Sequence, residues 1–376
     1  MSTQLLMNRQ LPLCVADYAD LARAALAPEV WDWLAGGAER EHTLAANRAA
    51  FDRLGVVPRV LADVSVCDTA TTLVRSRAAL PVALAPIAYH RLFHPEGELA
   101  SARAAAAAGV PFTVGTLSSV GFEELAATGA TLWFQLYWLR DRARLLDLVA
   151  AAEAAGSECL VVTADVPYMG RRLRDARNAF ALPGDVRAAL LEGGAAGRAH
   201  RATADASAVA AHTAELLSPA VTWADLDWLR RQTDLPLVVK GVLDPADALR
   251  AAELGAAAVV VSNHGGRQLD RAVPSLTALP AVADALAGRD CQVLLDSGVR
   301  GGADVLTALA LGASGVLLGR PAIWGLAAGG EPGCTRVLEL LAAELRHALG
   351  LAGCADLATA ATLRTTPLPC PAWSAP

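Results

Sequence analysis

The chain has 376 residues, 54% hydrophobic and 19% charged, so it can bury a large core and is not a disordered chain. Its net charge of −6 at pH 7 leaves no basic field for nucleic acid, and no uncharged apolar stretch of about 18 residues predicts a membrane span. Seven cysteines without a C-x-x-C pair and seven histidines without ligand spacing predict a reduced, cytoplasmic protein with no metal centre.

Met1 to Gln10 has no basic stretch followed by an apolar one, so no signal peptide is expected. Residues 1–78 form a helical preface. Within it, Pro28-Glu29-Val30-Trp31-Asp32-Trp33-Leu34 is opened by a proline and closed by Gly36-Gly37, as helices commonly are. Two tryptophans so spaced cannot share one helix face, so one belongs to the core and the other lines something.

From Ala79 the chain alternates short apolar runs with alanine-rich helical stretches. The runs are Pro81–Pro86, Val110–Val114, Thr131–Tyr137, Cys159–Asp165, Pro236–Lys240, Ala257–Ser262, Cys291–Asp296 and Ser314–Gly319. Helices are predicted over Gly97–Ala108, Arg142–Ala155, Trp223–Gln232, Pro245–Leu254 and Gly302–Leu311. Eight strand–helix units over residues 79–365 predict an α/β fold of the (β/α)8 TIM-barrel class. No G-x-G-x-x-G follows the first run, which argues against a doubly wound sheet. Residues 183–221 break the rhythm after the fourth strand, where a long insertion reads as a lid; residues 366–376 are a tail.

In such a barrel the strand ends open onto one functional face. The ends here carry Ile87-Ala88, Gly115, Gln135 with Tyr137, Thr163 with Asp165, Lys240, Ser262 with His264 and Arg267, Asp296 with Arg300, and Gly319-Arg320. Asp296-Ser297-Gly298-Val299-Arg300 and Gly319-Arg320 follow strands seven and eight, where glycine-flanked backbone and arginines suit a phosphate. Lys240 ends a buried strand, and an unpaired ammonium there would be costly without a bound anion. His264 can take a proton while Asp165 orients the ring and stabilises the imidazolium.

The stretch Ser262-Asn263-His264-Gly265-Gly266-Arg267-Gln268-Leu269-Asp270 resembles the active-site motif of the FMN-dependent 2-hydroxy-acid oxidases and dehydrogenases. The likeness runs from about Val30 to Cys354. It implies FMN as cofactor, held by Pro86, Ile87, Ala88, Gly115, Gln135, Thr163, Lys240, Ser262, Asp296, Ser297, Gly298, Val299, Arg300, Gly319 and Arg320. Lys240 would face the flavin edge that gains charge on reduction. Alanine at position 88 leans towards an oxidase, with O2 as electron acceptor and H2O2 as product. Relatives usually carry glycine where this chain has Ser297. The resemblance also implies a tetramer.

For the substrate it implies His264 as base, paired with Asp165, and Arg172 and Arg267 gripping a carboxylate bidentately. Tyr137 would bond the substrate or its developing oxyanion. Two electrons would leave for FMN as a hydride or through a carbanion, giving a 2-oxo acid. Trp33 stands where relatives carry a tyrosine, so a hydroxyl contact gives way to an apolar wall. Three stretches, 88–98, 134–141 and 169–175, resemble the 4-hydroxymandelate oxidases of this family, which points to an aryl 2-hydroxy acid of the mandelate type. The alternatives are an oxidase or dehydrogenase of lactate or another aliphatic acid, an FMN-dependent isomerase, and a non-catalytic barrel for a phosphorylated ligand.

Overall fold

The computed structural model describes residues 12–191 and 213–369. Residues 192–212 of the expected lid and 370–376 of the expected tail lie outside the described residues. Eight parallel strands close into a barrel: β1 (Val82–Leu84), β2 (Phe112–Gly115), β3 (Leu132–Leu136), β4 (Leu160–Thr163), β5 (Leu237–Val242), β6 (Ala258–Val261), β7 (Gln292–Leu295) and β8 (Gly315–Leu318). They pair in chain order, and β8 returns to β1.

Period-two alternation divides each strand between two cores. Ala83, Trp133, Val161, Val238, Val260 and Leu294 point inwards and fill the barrel. Their neighbours, such as Phe112, Phe134, Val162, Val239 and Leu295, face the helices. Because both faces are covered, the strands are nearly continuous apolar runs, which is why they could be read from the sequence. A hairpin of Thr71–Leu73 and Ser76–Ala78 adds Leu73 and Ala78 to the inner core, and the Trp133 indole N–H donates to Ser76 Oγ at 2.8 Å.

Three helices precede the barrel: α1 (Asp17–Ala25), α2 (Pro28–Ala35) and α3 (His42–Asp52). Around it lie α4 (Glu98–Ala108), α5 (Phe122–Ala126), α6 (Arg142–Ala154), α7 (Leu173–Arg177), α8 (Trp223–Arg230), α9 (Pro245–Glu253), α10 (Ser275–Ala285), α11 (Gly302–Ala310) and α12 (Arg320–Leu351). The sequence reading missed α5 and α7, which are only five residues long, α10, whose periodicity is interrupted by Pro280, and α12, which carries Pro332 and the non-helical Gly329 and Gly330 within it. Leu54–Val57 pairs antiparallel with Arg364–Pro367 and ties the preface to the C-terminal end.

The register of β5 against β6 shifts between Lys240 and Val242. Gly241 sits in this bulge with φ 104°, and a Cβ there would lie 2.6 Å from Cβ of Asp165. Only glycine combines that backbone with that approach. Gly241→Ala is therefore expected to cost about 1–3 kcal/mol of stability and to displace Asp165. A urea melt reads the first effect. An unchanged midpoint would show that the bulge relaxes freely.

Candidate active site

The loop after β6 starts at Ser262 and places His264 over the barrel with φ 59°, a left-handed conformation that a histidine holds only under constraint. Two bonds supply part of it: His264 N–H donates to Ser262 Oγ at 3.0 Å, and Gly266 N–H to Asn263 Oδ1 at 3.0 Å. Asn263 in turn exchanges reciprocal amide bonds of 2.8 Å with Asn47 on α3. Asp270, further along, accepts the N–H groups of Arg40 and Thr43 at the start of that helix. Neither Asn47 nor the role of Asp270 was visible in the sequence, because both depend on where α3 lands.

His264 Nδ1 lies 3.0 Å from Asp165 Oδ1, so Nδ1–H donates to the carboxylate and Nε2 keeps the lone pair. Burial holds the imidazole below its ordinary pKa, against the upward pull of Asp165. Burial presses Asp165 up, but His264 and Lys240 outweigh it and hold the carboxyl below its usual range. The pair is thus poised as neutral base and anion.

Lys240 is not unpaired, contrary to the sequence reading. Its Nζ lies 3.0 Å from Asp296 Oδ2 and 3.1 Å from Ser262 Oγ. Burial depresses the ammonium, and Asp296 and Asp165 together more than restore it, so the lysine stays charged. A bound anion is therefore not needed to account for this residue. Ser297 Oγ donates to the other oxygen of Asp296 at 2.7 Å.

The arginines differ from this pattern. Arg267 donates to the carbonyls of Trp33 at 2.7 Å and Gly36 at 3.0 Å, and lies over the Trp33 ring. Arg320 donates to the carbonyls of Leu34 at 2.9 Å, Gly36 at 3.0 Å and Gly265 at 3.1 Å. Arg300 reaches the Val299 carbonyl and covers Trp324. Arg172 has one carboxylate, Asp175, at 3.9 Å. Burial pushes Arg300 down to about 9 and Arg320 to about 10, and lowers Arg172 and Arg267 as well. Arg171 and Arg174 stand apart; Arg174 pairs with Asp32 and Glu41.

These groups surround one cavity. Lys240, Arg172, Arg267, Arg300 and Arg320 line it, with Asp296 the one carboxylate among the described lining residues. Such an excess of desolvated cations calls for anions. Arg300, Gly298, Val299 and Gly319 gather at the ends of β7 and β8, where a phosphate group would meet a guanidinium and backbone N–H groups. Arg172 and Arg267 line the cavity near His264 and Tyr137. Pro86, Ile87 and Ala88 supply apolar wall, so the residues present fit a phosphorylated flavin with a second, carboxylate-bearing molecule.

Four further expected cofactor residues stand at the ends of β2, β3, β4 and β6. Gln135 Nε2 donates to Thr163 Oγ1 at 2.9 Å, while its Oε1 accepts the Thr116 N–H at 3.1 Å. Gly115 and Ser262, like these two, are not among the lining residues. Trp33 does line the cavity and packs between Phe93 and Phe180, with ring centroids at 5.8 and 5.9 Å. Tyr137 also lines it, its hydroxyl kept protonated by burial. Met169 and Leu117, which line the cavity, and Phe93 and Phe180, which back Trp33, were missed, since nothing in the sequence sets them apart from core residues.

Comparison with known proteins agrees with this geometry. The chain is 56% identical to the 4-hydroxymandelate oxidase of Amycolatopsis orientalis over 351 residues, covering 93% of this chain and 97% of that one. It is 45% identical to the L-lactate oxidase of a Nostoc strain, covering 92% and 96%. The crystal structure of a mandelate oxidase with (S)-4-hydroxymandelic acid superposes with a TM-score of 0.92 at 54% identity, covering 95% of this chain and 99% of the other. The family model for FMN-dependent dehydrogenases matches residues 22–365, and the chain belongs to that family.

Proposed function

We propose that this protein oxidises an aryl 2-hydroxy acid, of the mandelate or 4-hydroxymandelate type, to the 2-oxo acid. The observation that carries the reading is the aromatic wall that Trp33, backed by Phe93 and Phe180, sets beside Arg267 in the cavity that also holds His264. An aryl ring covers that wall, while a carboxylate answers the guanidinium charge of Arg172 and Arg267.

Each residue then has a task. Arg172 and Arg267 anchor the carboxylate and fix the orientation of the substrate. His264 Nε2 takes a proton, and Asp165 stabilises the imidazolium that results. The Tyr137 hydroxyl donates to the oxygen on which charge develops. Lys240 holds a positive charge at the cofactor, and Arg300 and Arg320 serve its phosphate end with the backbone of residues 297–299 and Gly319. Gln135, Thr163, Gly115 and Ser262 contribute to the surface that holds the flavin. FMN, when bound, supplies the electron acceptor. Relatives named as oxidases support O2 as the terminal oxidant, with H2O2 as product. Six cysteines among the described residues are free, which supports a reducing, cytoplasmic setting. Val60, Leu61 and Val66 stand exposed in one loop and support association with further copies of the chain, for which a tetramer is the expected form.

Anaerobic mixing of the flavin-loaded protein with (S)-mandelate is expected to bleach the visible band faster than mixing with L-lactate. Bleaching by lactate alone would replace the aryl reading with the aliphatic one. His264→Asn should lower kcat about 10²–10⁴-fold. A neutral imidazole is required, so kcat/KM rises with pH through a His264 pKa that burial holds low, and is flat above it. Asp165 pulls that pKa upward, so Asp165→Asn should move the rising limb to lower pH. A limb moved to higher pH would contradict the pairing.

A further inference from the structure

Three residues other than glycine are held in left-handed backbone at the mouth of the barrel: Tyr89 (φ 56°), His264 (φ 59°) and Ser297 (φ 74°). Each costs about 1–3 kcal/mol unless its surroundings hold it there. At position 297 glycine would avoid the cost, so the side chain must return something.

Its hydroxyl is fully used. It donates to Asp296 Oδ1 at 2.7 Å and accepts the N–H groups of Gly265 at 2.8 Å and, more loosely, Asn263 at 3.4 Å. None of this capacity is left for a phosphate. The bonds instead close a circuit. Asp296 Oδ2 meets Lys240 Nζ at 3.0 Å, Lys240 donates to Ser262 Oγ at 3.1 Å, and Ser262 accepts the His264 N–H at 3.0 Å. From His264 the backbone runs one residue to Gly265, which returns to Ser297. Lys240 is 4% exposed and Asp296 6%, so solvent screens neither charge.

We propose that Ser297 is a positioning residue that sets how much of the Lys240 charge reaches the cofactor, and that it ties this setting to the loop bearing His264. A carboxylate that accepts an O–H on one oxygen is a weaker base and a weaker counter-ion at the other. With the hydroxyl in place, Asp296 neutralises Lys240 less, and the ammonium keeps more of its field for a ring that gains negative charge on reduction. Without it, Asp296 draws the ammonium in. The inference rests on the assignment of Lys240 to the cofactor edge made above.

The test is the midpoint potential of bound FMN in four holoproteins: unchanged, Ser297→Gly, Ser297→Ala and Lys240→Met. Both serine variants lose the hydroxyl, but only the alanine keeps the strained backbone. Both are expected to fall by a similar amount, about 30 mV, which is tenfold in the two-electron equilibrium constant. Lys240→Met should fall further. The glycine variant should also melt above the alanine variant, since it sheds the strain without changing the electrostatics. A shift in Ser297→Ala alone would assign the effect to strain and overturn the proposal. Unchanged potentials in both serine variants, with Lys240→Met shifted, would overturn it while leaving the Lys240 assignment intact. No shift in Lys240→Met would remove that assignment and the inference with it.

Discussion

The site is governed by the accumulation of positive charge in a place that water reaches poorly. Four guanidinium groups and one ammonium line a single cavity, and among the described residues only Lys240 has a carboxylate within hydrogen-bond distance, Arg172 meeting Asp175 at 3.9 Å. Buried cations without anions are tolerated when carbonyl dipoles surround them. That need explains the position of the helical preface. The C-terminal end of α2 leaves the carbonyls of Trp33, Leu34 and Gly36 without partners in the helix, and these accept from Arg267 and Arg320. A helix C-terminus carries partial negative charge, so cations belong there. The preface is thus held to the barrel by the same groups that prepare the cavity for an anion.

A second constraint is geometric. Several loops must converge without colliding, and the chain meets this with backbone conformations that most residues avoid. Gly241 lets Asp165 lie against β5, and Gly298 (φ 108°) lets the turn after β7 pass within 2.8 Å of the Asn47 carbonyl, measured to a notional Cβ. At Tyr89, His264 and Ser297 side chains larger than hydrogen are kept, and the strain is held by the surrounding bonds. Strain concentrated at strand ends is affordable because the barrel beneath is packed on both faces.

This division decides what was legible in the sequence. The strands were, because a run such as Ala258–Val261, covered on both sides, has little room for polar residues. So were the residues at the strand ends, since His264, Asp165 and the arginines are costly to bury and stand directly after apolar runs. Their partners were not. That Asp296 neutralises Lys240 depends on neighbours across the barrel, and that Ser297 turns inwards depends on a φ that no local pattern announces. Gln135 and Thr163 stand at the ends of adjacent strands in the sequence pattern, and that they bond each other depends on the register of those strands. Alternation shows which residues face inwards, not how deep in the barrel each one stops. The helix α10 was obscured for a different reason: Pro280 is tolerated inside it, although proline ordinarily signals a helix end.

Trp33 shows how one residue joins these threads. It is 4% exposed, packed between Phe93 and Phe180, and covered by the Arg267 guanidinium at 5.2 Å from its ring. Its indole N–H is buried without a partner among the described residues, so none of these gives it the hydrogen bond that a hydroxyl would make at this position. What it contributes is surface and a π-face. The π-face eases the burial of Arg267, whose charge its neighbours Arg172 and Arg320 already oppose. The surface favours a ligand that carries an aromatic ring next to its carboxylate. Covering a ring of that size is worth about 1.5–3 kcal/mol, some tenfold to hundredfold in affinity over a methyl group. A short acid would meet the same arginines and the same base but would leave the wall against water. The preference for an aryl acid therefore follows from the residue that also makes the charged cavity tolerable, and the two properties cannot be varied independently at position 33.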